Sequence, residues 1–125
     1  MKSFNTAVIG ASPNQDRYAF KAVKKLTDFG FKAIPLGFRS GEIDGNTILT
    51  DWPKKIDNLK VITLYLGPSR QPEFYNYIIS LKPKTVIFNP GTENAEFYNK
   101  LEQANINFEE ACTLVLLSTG AYENI

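Results

Sequence analysis

The sequence contains no histidine and a single cysteine, Cys112. The missing histidine excludes a Ser-His-Asp triad, phosphohistidine transfer, histidine-ligated metal sites and a histidine pH switch. One cysteine excludes an intrachain disulfide and the cysteine clusters that hold zinc or iron–sulfur centres; no metal is expected. It also fits a reducing cytoplasm, the expected location. Neither sign of charge dominates: 14 Lys and Arg against 13 Asp and Glu leave a net charge of +1. The basic excess of a DNA-binding domain is absent, so nucleic acid is not an expected partner, while a local basic pocket for a small polyanion is allowed. No apolar run approaches the ~20 residues of a membrane span. Met1-Lys2-Ser3 leads straight into strand-like sequence, unlike a signal peptide.

What is present is an ordinary globular balance: 43% hydrophobic and 22% charged residues over 125 positions. That length suits one domain spanning 1–125, with enough core to fold without disulfides. Strand and helix signals alternate along it. Ala7-Val8-Ile9 is a short apolar run ending at Gly10, as in a buried parallel strand. From about Asp16 to Phe29, the residues Tyr18, Ala22, Val23, Leu26 and Phe29 fall on one helical face, and Gly30 sits where a C-terminal cap glycine belongs. Ala33-Ile34-Pro35-Leu36 reads as a second strand, its proline placed where no ladder donor is needed.

Residues 37 to 58 are irregular, with Thr47-Ile48-Leu49 a candidate short strand. Val61 to Tyr65 and Thr85 to Phe88 are strong strand signals. Between them a turn at Gly67-Pro68-Ser69 predicts a helix capped by Ser69, with Phe74, Ile78 and Leu81 inward. Thr92 is the expected cap of a helix running to about Ala104, Ile106-Asn107-Phe108 a last strand, and Cys112 to Leu117 a closing helix. The alternation predicts a three-layer, Rossmann-like α/β fold: an open parallel sheet of about five strands with helices on both faces. Ligands of such sheets bind beyond the carboxyl ends of the strands, near the point where strand order reverses.

That rule directs attention to Gly10-Ala11-Ser12-Pro13-Asn14. Gly10 permits a tight turn, and Ser12, Asn14 or Asp16 suits the helix cap. In each case backbone N–H groups and the helix dipole face the loop, which favours a phosphate. Arg17 can add a charge-assisted contact to the same anion. The dinucleotide fingerprint is incomplete, since its second and third glycine positions are Ser12 and Gln15, and Leu36-Gly37 replaces the carboxylate that would hold a ribose. NAD is therefore disfavoured. Arg39, just past the second strand, suits a ribose phosphate, found on both CoA and NADP. Lys24-Lys25 and Lys54-Lys55 are too short to be patches. Tyr75, Tyr77 and Tyr98 lack basic interleaving and read as amphipathic helix surface. Cys112, with no histidine to activate it, reads as a buried structural thiol.

Val8-Ile9-Gly10-Ala11-Ser12-Pro13-Asn14, then Arg17, then Gly30-Phe31-Lys32-Ala33-Ile34-Pro35, resembles the small stand-alone CoA-binding-domain proteins. These are relatives of the CoA-binding domain of succinyl-CoA synthetase α subunits. Glu42-Ile43, Gly45, Pro68-Ser69, Gly91, Glu93-Asn94 and Cys112 extend the similarity along nearly the whole chain. The resemblance implies a Rossmann-like fold and CoA or an acyl-CoA in the first-loop cleft. Gly10, Ser12, Asn14 and Arg17 would hold the pyrophosphate, and Pro68-Ser69 would flank the adenine. Three positions depart from the pattern: Leu36-Gly37 where Asn-Pro is usual, Gly67 where Arg is frequent, and Ile87-Phe88-Asn89-Pro90-Gly91 where Trp-x-Gln-x-Gly is frequent.

The leading expectation is a non-catalytic module that binds this small-molecule nucleotide. Two rivals stand beside it. One is a small enzyme or redox regulator using NADP or the CoA thiol through Cys112. The other is a sensor or interaction subunit with a degenerate site. The sequence names no protein partner, and a homodimer is open.

Overall fold

The computed structural model describes residues 4–125, so Met1-Lys2-Ser3 lie outside the described residues. The strands are β1 (Asn5–Ala11), β2 (Lys32–Gly37), the two-residue β3 (Glu42–Ile43) and β4 (Asn46–Thr47), β5 (Leu59–Leu64), β6 (Thr85–Phe88) and β7 (Asn107–Glu110). The helices are α1 (Tyr18–Asp28), α2 (Tyr75–Ser80), α3 (Ala95–Gln103) and α4 (Thr113–Thr119).

Five strands form one sheet in the order β2-β1-β5-β6-β7, and every neighbouring pair is parallel. The period-2 alternation of side chains divides two cores between its faces. On one face Ala7, Ile9, Ile62, Leu64, Val86 and Phe88 pack against Ile78 of α2 and Phe97 and Leu101 of α3. On the other, Val8, Val61 and Ile87 meet Val23 and Leu26 of α1, Leu117 of α4 and Tyr122. The central strands β1, β5 and β6 are covered on both sides, which is why they read as unbroken apolar runs.

Pro35 lies on the sheet edge. Its carbonyl accepts from the Leu49 amide (2.9 Å) and the Gly37 amide donates to Leu49 (3.0 Å), so the donor that proline lacks would also have pointed outward. The expected strand 47–49 is divided. Asn46–Thr47 closes a small antiparallel hairpin with Glu42–Ile43, while Leu49 makes an isolated parallel bridge to Leu36. The hairpin follows from Asp44-Gly45, which take φ of 49° and 83° as a two-residue primed turn requires.

Three expected caps are displaced. Ser69 caps no α-helix: it sits inside a 3-10 turn, Pro68–Arg70, and a second turn, Pro72–Phe74, delays α2 to Tyr75. Thr92 instead donates its hydroxyl to the Asn89 carbonyl (2.8 Å). Asn94 caps α3, its side chain accepting from the Phe97 amide. At α1 the cap is Arg17. Gly30 does close α1, with φ of 85°, its amide bonding to Thr27.

The tyrosines are bound more closely to the core than expected. Tyr75 is buried on Phe97, Tyr98 stacks on Phe108, and the Tyr77 hydroxyl donates to the Pro53 carbonyl. Cys112 is half-buried rather than buried, because it is the extended residue at the N-cap of α4.

Candidate functional site

Chain direction places β2 to one side of β1 and β5 to the other, so strand order reverses between β1 and β5. Beyond their carboxyl ends lies a cleft of about 640 Å³. Its walls are Gly10 to Ser12, Asn14 and Asp16 to Ala19 after β1; Phe38 and Arg39 after β2; Tyr65, Leu66, Gly67 and Arg70 after β5; and Pro90, Gly91 and Thr92 after β6.

Two glycines allow these loops to meet. Gly10 has φ of 97°, and a Cβ there would stand 3.1 Å from the Tyr65 carbonyl carbon. Gly37 lies against the next residue of the same turn: a Cβ there would stand 2.3 Å from the Ala11 carbonyl oxygen.

The residues expected to cap α1 instead brace the loop. Ser12 Oγ accepts from the Asn14 amide (3.1 Å), and Asn14 Oδ1 from the Asp16 amide (2.9 Å). Helix α1 begins later, after an extended Arg17 whose side chain makes no cap hydrogen bond. The first intrahelical bond runs from Lys21 to the Arg17 carbonyl. The first turn therefore has no side-chain cap, and its residues Tyr18 and Ala19 stand in the cleft lining beside Arg17, at the positive end of the helix dipole.

The chain has three arginines, Arg17, Arg39 and Arg70. All three line this cleft, each from a different loop and all exposed. Among the described residues no lysine lines it. Among the described residues no arginine forms an ion pair; the ion pairs there join Lys24 to Asp28 and Asp44, which hold the Lys24 ammonium above its usual pKa. Asp16 is the one carboxylate in the lining. Arginine presents a planar fork that matches phosphate bidentately, so three forks without carboxylate partners against one carboxylate make the cleft chemically suited to a polyanion.

The β6 wall is held from behind. Asn89 is buried; its Nδ2 donates to Thr63 Oγ1 (2.7 Å) and the Leu64 carbonyl (3.0 Å), and its Oδ1 accepts from the Thr113 amide (2.9 Å). Glu93 Oε1 occupies the Gly91 amide (2.9 Å), so that N–H is not free for a ligand.

Tyr65 is the exception to this satisfaction. Its hydroxyl is buried and makes no hydrogen bond. The nearby Thr63 and Thr113 hydroxyls bond to each other at 2.7 Å, and they favour the phenolate only slightly. Burial dominates and pushes the phenol up to about 12. The folded protein then keeps a proton that the unfolded chain releases near pH 10. Stability is unaffected below pH 10 and falls as pH rises from there toward 12. Tyr65→Phe should accordingly be neutral or stabilising at pH 7, by up to about 1 kcal/mol. Its advantage over the parent should widen above pH 10. Urea melts at pH 7 and 10.5 check both parts.

Of the expected site residues, Gly10, Ser12, Asn14, Arg17 and Arg39 line one cleft. Pro68 and Ser69 do not; their turn is exposed and delivers Gly67 and Arg70 to the lining instead. Arg70, Phe38 and Tyr65 are the most consequential of the cleft residues that sequence reasoning missed. The scarcity of arginine was the available signal for Arg70.

An open parallel sheet between two helical layers, with its cleft at the reversal of strand order, places the protein in the Rossmann-like α/β class. The chain belongs to the CoA-binding-domain family, whose match covers residues 5–118. A crystal structure described as that of an uncharacterized protein is 44% identical with a TM-score of 0.90, covering 95% of this chain and 98% of that one. A hypothetical protein from Pyrococcus horikoshii OT3 is 28% identical with a TM-score of 0.75, over 86% of this chain and 77% of that one. A Thermus thermophilus structure, cell-free ID.343, shares the fold at 21% identity and a TM-score of 0.79, over 93% and 88% of the two chains. None of the curated proteins matches the chain. Among the described residues no helix is long and apolar enough to cross a membrane.

Proposed function

We propose that the cleft binds CoA or an acyl-CoA and that the chain acts as a binding module without chemistry of its own. The observation that carries this is the convergence of all three arginines on one cleft beside the uncapped first turn of α1. CoA offers a pyrophosphate and a 3′-phosphate, which suit Arg17 and Arg39, while Arg70 on the facing loop adds to the positive field of the cleft. The pyrophosphate goes to the α1 turn with Gly10, Ser12, Asn14 and Arg17, and the 3′-phosphate to Arg39. With no histidine in the chain, nothing here can carry a phosphoryl group as a synthetase does.

CoA should bind more tightly than NAD. Ser12 replaces the glycine that admits the NAD pyrophosphate, and Gly37-Phe38-Arg39 offers a cation where NAD needs a carboxylate. Removing the 3′-phosphate should cost about 1–3 kcal/mol, roughly five- to 150-fold. Calorimetry of CoA, dephospho-CoA, NAD and NADP in one buffer is the test. NAD binding as tightly as CoA overturns the assignment, and equal affinity for CoA and dephospho-CoA retires Arg39.

A redox reading rests on Cys112, a free thiol left half-buried at the N-cap of α4. A reducible CoA adduct on the purified protein would move the assignment there, while failure to bind any adenine nucleotide would leave an interaction subunit with a degenerate site.

A further inference from the structure

Phe38 is a large aromatic ring left 47% exposed on the rim of the cleft. It is not loose. Its ring centre lies 5.4 Å from Trp52 and 5.8 Å from Phe74, and those two rings pack at 4.8 Å. Trp52 Nε1 donates to the Gly37 carbonyl (3.0 Å), which ties the array to the end of β2. Tyr77, the next ring along, is fixed by its bond to Pro53. Arg70 completes the arrangement: its guanidinium carbon sits 4.5 Å from the Phe38 ring centre.

A rigid exposed ring paired with an arginine plane is how proteins present a stacking surface to a nucleobase. A solubility argument gives no reason to leave such a ring uncovered beside three cations. The opposite wall differs in kind, since Pro90, Gly91 and Thr92 bring neither charge nor aromatic ring. We infer that the Phe38–Arg70 pair is the base-stacking platform of the cleft, so that a purine nucleotide lies with its base at the β2 side and its uncharged arm leaving over the β6 loop.

The inference rests on the CoA reading for the identity of the arm and adds the direction in which the ligand lies. It also relocates base recognition from Pro68-Ser69, which stand outside the lining, to residues that stand within it.

The test compares CoA, 3′,5′-ADP and 4′-phosphopantetheine on the parent protein and on Phe38→Leu, with Phe38→Tyr as the ring-retaining control. Stacking on an aromatic ring is worth roughly five- to 150-fold in affinity. Phe38→Leu should weaken CoA and 3′,5′-ADP by that common factor, leave 4′-phosphopantetheine unchanged, and be rescued in Phe38→Tyr. Trp52 is the sole tryptophan and touches Phe38, so it supplies a second readout. Its emission should shift with CoA and 3′,5′-ADP and not with 4′-phosphopantetheine. If the parent binds CoA and 3′,5′-ADP and Phe38→Leu binds them equally well, the platform is overturned while the CoA reading stands. If all three ligands weaken together, the ring is a structural support and the platform is again overturned. If the parent takes no adenine nucleotide, both readings fall.

Discussion

CoA binding should be lost when Arg17, Arg39 and Arg70 are replaced together by glutamine, and the protein should remain as stable as its parent. Arg17 and Arg39 each offer a charged hydrogen bond worth about 1.5–3 kcal/mol, so replacing either alone should weaken binding roughly ten- to 150-fold, and Arg70 adds its plane beneath the base. The triple variant should fall below detection in a calorimeter. Stability is spared because all three side chains are exposed and, among the described residues, none is paired with a carboxylate. Removing three like charges from one cleft relieves repulsion, which opposes the loss of the single exposed Arg70–Phe38 cation–π contact. Parent binding should also weaken as salt is raised, since the forks are solvent-facing. Retention of CoA affinity by the triple variant would remove this cleft from the assignment.

The second large effect is on folding. Gly37→Ala should cost about 3 kcal/mol, roughly 10 °C in Tm. The added Cβ would stand 2.3 Å from the Ala11 carbonyl oxygen and 2.9 Å from Ile48 Cγ2. The first is backbone in the central strand β1, which cannot swing aside as a side chain can. Gly67→Ala is the matched control: its φ is −64° and no atom lies within 4 Å of the added carbon. That change should be neutral or slightly stabilising, because it narrows the unfolded ensemble at no cost to the fold. Equal melting temperatures for the two variants would show that β1 and β2 can separate, and the close approach would lose its meaning.

Gly37 also shows where the sequence is legible and where it is not. The sheet could be read in advance because buried parallel strands are short β-branched runs, and Ala7 to Ile9, Val61 to Leu64 and Thr85 to Phe88 are such runs. The first loop could be read because Gly10 ends a strand just before a helix. The caps could not. Ser12, Asn14 and Asp16 are all good cap residues within five positions, and which one acts depends on backbone angles that composition does not carry. The winner, Arg17, brings no cap side chain at all. The same limit hid Arg70. A 3-10 turn opened by Pro68 leaves Pro68 and Ser69 exposed and puts Arg70 in the cleft lining, and a second turn, opened by Pro72, delays α2. Phe38 was hidden because a ring at a strand end looks like core until its neighbours are known.

The strand order has a consequence for how the molecule is made. Helix-linked β1 and β2 can pair early, since only α1 separates them. The other side of β1 must wait for β5, where Asn5 pairs with Leu59 across more than fifty residues. Closing that distance is entropically slow, and the cleft straddles the seam it creates. A chain still emerging from the ribosome carries Arg17 and Arg39 with nothing opposite them until Arg70 and Pro90 to Thr92 have followed. A ligand held from both walls therefore cannot guide the early steps of folding. It can only hold shut a sheet that has already assembled itself, and slow the opening of β1 from β5 once it has.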